Sequence, residues 1–248
     1  MVLTRLVQSK PALILEDRKR YLVVTDLHIG FESKFMANDI HVDPKDTIAE
    51  TVKELDTIIQ MQRPDCLILL GDIKSGVESI SKVEWNAVPL FFEIGKKIET
   101  IVIPGNHDAN IQKLAPQWIT VSSPSGLVIG DALLTHGHVM PSENLSHVSK
   151  IIMGHVHPVY FQEGSVLDGQ RVWVSILANK SQIFTSSQGY IEVTVMPSFN
   201  RYFYATHKKN HKRSISPIIE ALKELKSAKI ATLDGSIIGN ESMIPKVL

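Results

Sequence analysis

Five short clusters of aspartate, asparagine and histidine, each set directly behind an apolar run, constrain this 248-residue chain more than any other feature. Asp26-Leu27-His28 follows Tyr21-Leu22-Val23-Val24, Gly71-Asp72 follows Cys66-Leu67-Ile68-Leu69-Leu70, and Gly105-Asn106-His107-Asp108 follows Ile101-Val102-Ile103. His136 follows Ala132-Leu133-Leu134, and Gly154-His155-Val156-His157 follows Ile151-Ile152-Met153. Short apolar runs bounded by turn residues read as buried strands. Each cluster is therefore expected where a strand ends, and the five together offer the oxygen and imidazole donors of a two-metal hydrolytic centre.

The segments between the clusters supply the rest of the architecture. Residues 12–15 and 21–24 flank a charged turn and read as a hairpin. Asp43-Pro44 opens a helix over 44–61 with an N-cap and a first-turn proline, and Ile48, Val52, Leu55, Ile58 and Ile59 share one face. A strand at 66–70, a helix around 82–97 and a strand at 99–103 complete a βαβαβ pattern, which implies parallel strands with right-handed crossovers. After residue 116 the strands become short and closely spaced, at about 118–121, 126–129, 132–135, 150–153, 171–177 and 190–195, as expected of a second, mostly antiparallel sheet. Beyond residue 197 come a basic run, an amphipathic segment at 215–227 and a weak strand near 229–238. No linker is evident, so residues 1–196 are expected to form the main domain and 197–248 an extension of it.

Composition excludes several classes. With 26 basic and 26 acidic residues the chain carries no global field to draw it to nucleic acid or membrane. No apolar stretch approaches the ~18 residues of a membrane span, and residues 1–10 lack a signal-peptide core. The one cysteine, Cys66, lies inside an apolar run and reads as a small buried hydrophobe. These features fit a cytoplasmic enzyme.

The order of the clusters, Asp-x-His, Gly-Asp, Gly-Asn-His-Asp, His and Gly-His-x-His, resembles that of the calcineurin-like metallophosphoesterases. The resemblance implies an α/β fold of two sheets packed as a β-sandwich and flanked by helices. It also implies two divalent ions bridged by Asp72, with Asp26, His28 and His157 on one and Asn106, His136 and His155 on the other. His136 and His138 compete for one position; the family pattern puts the ligand at the strand end and favours His136, leaving His138 at the border of the substrate cleft. Alternation along a strand end would aim Asp26 and His28, and likewise His155 and His157, the same way. Gly71, Gly105 and Gly154 stand where the backbone must turn beside the ligands. His107 follows a ligand and should face the substrate, stabilising the transition state and protonating the leaving oxygen, with Asp108 holding its imidazole. Lys74 and Ser75 face the cleft by position. A donor set without thiolate suits manganese first, with iron or zinc as alternatives.

Within the family the chain resembles the small stand-alone phosphoesterases related to the nuclease SbcD, through Asp26-Leu27-His28-Ile29-Gly30, Gly154-His155-Val156-His157-Pro158 and Met196-Pro197-Ser198-Phe199-Asn200. The expected reaction is hydrolysis of a phosphodiester, with DNA or RNA as the leading partner class. Lys208, Lys209, Lys212 and Arg213 form the one local cluster of positive charge able to hold a phosphate backbone. The alternatives are a small-molecule nucleotide phosphodiesterase or phosphatase, and a non-catalytic metal-binding scaffold; the latter predicts a missing ligand, and none is missing.

Overall fold

The computed structural model describes residues 1–32, 43–202 and 216–248. Its first sheet has six strands in sequence order: β1 (Leu3–Leu6), β2 (Leu13–Glu16), β3 (Arg20–Val24), β4 (Cys66–Leu70), β5 (Glu99–Ile103) and β6 (Ile119–Val121). The first three form an antiparallel meander, and β3 to β6 run parallel. The second sheet has seven strands: β7 (Leu127–Ile129), β8 (Ala132–Thr135), β9 (Lys150–Met153), β10 (Val172–Asn179), β11 (Tyr190–Val195), β12 (Leu225–Thr232) and β13 (Ile237–Asn240), in the order β13-β12-β10-β11-β9-β8-β7. Its pairs are antiparallel except β8 with β9 and β9 with β11.

Three apolar layers stack across the molecule. Helix α1 (Pro44–Gln62) and helix α2 (Lys82–Phe92) pack Ile48, Leu55, Ile58, Val88 and Phe91 on the outer face of the first sheet. Between the sheets lie Leu13, Val23, Ile68, Leu70 and Ile103 against Leu134, Ile152, Trp173 and Met196. The outer face of the second sheet is covered more sparsely, by the five-residue helix α3 (Pro217–Ala221) and the C-terminal turn that ends in Val247 and Leu248. The architecture is thus the expected two-sheet α/β sandwich flanked by helices.

Local chemistry explains the helix starts. Asp43 accepts a hydrogen bond from Lys45 N ahead of Pro44, and Ser81 forms a reciprocal capping box with Glu84. The expected helix over 82–97 ends at Phe92 and tightens into a 3₁₀ turn, Glu93–Lys96. The C-terminal expectation needs a larger correction. Where the sequence suggests an amphipathic segment over 215–227, the helix stops at Ala221 and β12 begins at Leu225. Ala228 and Ile230 are buried while Lys229 between them is exposed, a period of two that lets β12 pair along β10. Tertiary pairing outweighs the helical propensity of the Lys-Glu-Leu-Lys stretch. Strand β1 was likewise not anticipated.

Registry brings the ligand clusters to one edge. Val24 pairs with Leu69, and Leu70 with Ile103, so the chain leaves β3, β4 and β5 at one level. In the facing sheet Thr135 pairs with Met153, so β8 and β9 also end together.

Candidate metal centre

The ligand loops are not extended continuations of their strands. Asp26, His28, Asp72, His155 and His157 all have positive φ, between 44° and 73°. In this left-handed region a residue with a Cβ is strained by roughly 1–2 kcal/mol, less for aspartate, whose short polar side chain bonds locally. Asp26 and His28 converge because two left-handed residues flank Leu27, not because of strand alternation, and the same holds for His155 and His157. Gly71 does turn through positive φ, at 82°, as expected. Gly105 and Gly154 serve by smallness instead: a Cβ at Gly105 would overlap Asp72 Oδ1, and one at Gly154 would overlap Thr25 Oγ1.

Two groups of donors result, and Asp72 belongs to both. Asp26, His28, Asp72 and His157 offer atoms all within 4.8 Å of one another, as do Asp72, His136 and His155. His157 Nε2 lies 3.0 Å from Asp26 Oδ1 and 3.1 Å from His28 Nε2, while His28 Nε2 lies 3.8 Å from Asp72 Oδ2. On the other side His136 Nε2 is 3.2 Å from Asp72 Oδ1. Asp26, His28, Asp72 and His136 are at most 1 % exposed, so four polar groups share a site with almost no water.

Electrostatics show what the cluster lacks. Burial pushes the Asp72 carboxyl up, but His136, then His28 and His107, outweigh it and hold it far below the carboxylate range. Asp26 follows the same logic, with His157 and His136 overcoming burial to lower its pKa. His136 is the counterpart: burial would lower it, and Asp72 and Asp26 raise it to about 9. The same burial depresses His28 well below its ordinary value, with the neighbouring aspartates unable to compensate. Two buried carboxylates thus demand positive charge, and His136 is the imidazole that they hold protonated.

Asn106 supplies the test of fit. Its Oδ1 is buried and accepts no hydrogen bond, an arrangement that costs about 1–3 kcal/mol when nothing positive faces the oxygen. An oxygen and imidazole set with one shared carboxylate and an orphaned amide oxygen fits divalent cations.

His107 and Asp108 part company. His107 Nδ1 lies 2.7 Å from the Ser75 carbonyl, and its ring meets that of His28 edge-on at 5.0 Å between centroids. Asp108 does not hold this imidazole, contrary to expectation. Its Oδ1 accepts from the amides of Ile73 (2.9 Å) and Lys74 (3.2 Å), and its Oδ2 from Gly105 N (2.8 Å). The carboxylate of Asp108 is committed to joining the Asp72 loop to the Asn106 loop. Burial first, and then the nearby Asp72 charge, raise its pKa to about 6.

The remaining expected residues divide. The His138 ring lies tilted to that of His136 at 5.3 Å between centroids and edge-on to that of His155 at 6.0 Å, and burial, helped by those rings, drops it to about 4. Lys74 is fully buried and its Nζ donates to the carbonyls of Gly76 and Ser79, so it braces its own loop and does not face the cleft. Lys208, Lys209, Lys212 and Arg213 lie outside the described residues. Sequence reasoning missed Thr25, whose hydroxyl bonds Leu70 O (2.7 Å) and Asp26 Oδ2 (2.9 Å) and so ties two ligand loops together. It also missed Ser198 Oγ and Asn200 Nδ2, which donate to Asp26 O and Leu27 O, both at 2.9 Å. A threonine beside a ligand is the only signal that could have flagged Thr25; the stretch 196–200 stands out through the family resemblance, but bonds across 172 or 173 positions leave no sign of what it touches.

Paired Asp/His donor groups at the strand ends of a two-sheet α/β sandwich define a metal-dependent phosphoester hydrolase. The chain belongs to the calcineurin-like phosphoesterase family, whose model matches residues 19–182 and so spans all five clusters. Among solved structures it is similar to the nuclease MPE of Pseudomonas putida, at 17% identity with a TM-score of 0.53 over 95% of this chain and 100% of that one, a likeness of fold. It also matches Yfce, a phosphoesterase from E. coli, at 14% identity with a TM-score of 0.40 over 89% of this chain and 97% of that one. No curated protein matches the chain significantly in sequence. Among the described residues no helix is long and apolar enough to cross a membrane.

Proposed function

We propose that this protein is a dinuclear phosphodiesterase that cleaves nucleic-acid phosphodiesters. The observation that carries the reading is Asp72, the one carboxylate common to both donor groups. Asp26, His28 and His157 would complete one ion's shell and Asn106, His136 and His155 the other's. When bound, a pair of ions, manganese in the first instance, supplies charge neutralisation at the phosphoryl oxygens and a lowered pKa for the attacking water.

The chain's own residues supply the rest. A carbonyl can only accept, so the bond to Ser75 O fixes the proton of His107 on Nδ1 and leaves Nε2 as the atom that exchanges a proton. Nε2 lies 3.8 Å from Asp72 Oδ2 and the side chain is 19 % exposed, at the mouth of the site. From there imidazolium Nε2–H protonates the leaving alkoxide, and the neutral ring recovers its proton from solvent. His138, held neutral by its surroundings, borders the same mouth and offers the substrate a hydrogen bond. The polynucleotide reading draws on the nuclease among the structural neighbours and on the basic run at 207–213.

Two measurements test this. Metal analysis of the purified chain should find two divalent ions, and Mn²⁺-supplemented protein should hydrolyse bis-p-nitrophenyl phosphate and single-stranded DNA or RNA. Hydrolysis of the small diester without any of the polynucleotides would keep the chemistry and replace the substrate class with nucleotides. Failure on every diester would leave a scaffold.

A further inference from the structure

We infer that Ser198, Asn200 and Arg171 form a clamp that positions the Asp26–His28 loop for one of the two ions. The inference rests on the ligand assignment proposed above. Three consecutive carbonyls of the loop, those of Thr25, Asp26 and Leu27, point at one short segment. Phe199 N donates to Thr25 O at 2.8 Å, Asn200 N and Ser198 Oγ donate to Asp26 O at 3.3 and 2.9 Å, and Asn200 Nδ2 donates to Leu27 O at 2.9 Å. Arg171 stands behind that segment, with Nη1 donating to Ser198 O at 2.7 Å and Phe199 O at 2.9 Å.

The geometry matters because Asp26 and His28 sit in the left-handed region. Consecutive carbonyls there are turned away from any strand partner, and a buried carbonyl left without a donor would favour a different backbone. The clamp supplies the donors that β4 cannot, and so selects the one conformation in which Asp26 and His28 converge. Phe199 is buried in the apolar layer under α1 and α2, so its backbone has a structural duty. Asn200 has a separable one: its Oδ1 accepts from Tyr202 N at 2.9 Å, while its Nδ2 reaches only toward the loop.

Among the described residues the clamp bonds the loop that carries Asp26 and His28 directly, and reaches the Asp72, His136 and His155 group only through that loop's own bonds, His28 N to Asp72 O and His155 N to the Asp26 carboxylate. It should therefore tune one ion and spare the other. Outer partners of ligating groups typically change metal affinity 10–100-fold.

The test is Mn²⁺ titration by calorimetry of the chelator-stripped full chain. Asn200→Asp keeps the acceptor for Tyr202 N and puts an oxygen where the donor to Leu27 O stood. One of the two ions should bind about 10–100-fold more weakly, with the other unchanged and the metal-free unfolding temperature close to the parent's. Ser198→Ala, which removes the hydroxyl to Asp26 O, should act on the same ion and carries the test if the first variant does not fold. Parental affinity at both sites in a folded variant overturns the inference and leaves the ligand assignment standing. Equal weakening of both ions together with a lower metal-free unfolding temperature also overturns it, because the segment is then general support. If the parent itself binds fewer than two ions, the ligand assignment falls and takes the clamp with it.

Discussion

The two sheets bring unlike chemistry to their common edge. The first, through its parallel strands, delivers the oxygen donors Asp26, Asp72 and Asn106 together with His28 and His107; the second delivers only imidazoles, His136, His155 and His157. The oxygen half is stitched by many bonds, with Asp108 bridging the Asp72 and Asn106 loops and Thr25 bridging β3 to β4. The imidazole half meets it through side-chain pairs, Asp26 with His157 and Asp72 with His136, and through His155 N, which donates to the Asp26 carboxylate. A centre divided this way exists only while the sheets stay docked, so the apolar layer between them is part of its function.

The largest effect should come from the residue that serves both halves. Asp72→Asn exchanges the carboxylate shared by both donor groups for a neutral amide, and on the proposed assignment both ions and all diester hydrolysis should be lost. Two tightly held ions in metal analysis would break the division outright. His107→Ala removes a first-sheet group outside the donor groups, so activity should fall about 10²–10⁴-fold with both ions retained. Loss of metal with activity would make His107 a ligand.

Weakening the docking is the next test. Leu134, fully buried between the sheets just ahead of His136, should cost about 2–5 kcal/mol on truncation to alanine. Denaturant unfolding would measure that cost, and metal titration should show the group containing His136 and His155 loosened more than the other. Equal loosening would mean that the halves do not behave as separate bodies.

The smallest effect concerns pH in the chelator-stripped protein. Asp26 and Asp72 have depressed pKa values, so their stabilisation is complete above the ordinary carboxylate value and is lost as pH falls below it toward their lower folded values. His136 is raised to about 9, so its contribution is complete below its ordinary value near 6.5 and is lost as pH rises through 9. His28 and His138, both depressed, add a loss of stability as pH falls below about 6.5, so stability should peak near neutral pH and decline on both sides, as followed by urea unfolding across the range. A profile flat from neutral to pH 10 would show that the imidazoles carry no charge across the sheet interface.

Much of this was legible because strands and ligands share one signal. Apolar runs such as Cys66–Leu70 end in Gly71-Asp72, and the parallel register then has little choice but to gather such ends. What was not legible depends on partners distant in sequence. β12 is a strand because β10 lies beside it, and Asp108 turns from His107 because three backbone amides on two loops need its oxygens. Left-handed backbone at five ligand positions also leaves no mark, since aspartate and histidine are compatible with extended chain as well.

That backbone sets rules for anyone who would retune the centre by exchanging its ligands. At Asp72, with φ 51°, a β-branched replacement would suffer twice, losing the donor and clashing with its own main chain. Glycine would do the reverse: Asp72→Gly removes the donor yet relieves the turn, so the metal-free fold should tolerate it better than Asp72→Ala. The palette of ligands open to directed evolution here is filtered by torsion angle before it is filtered by affinity for any ion.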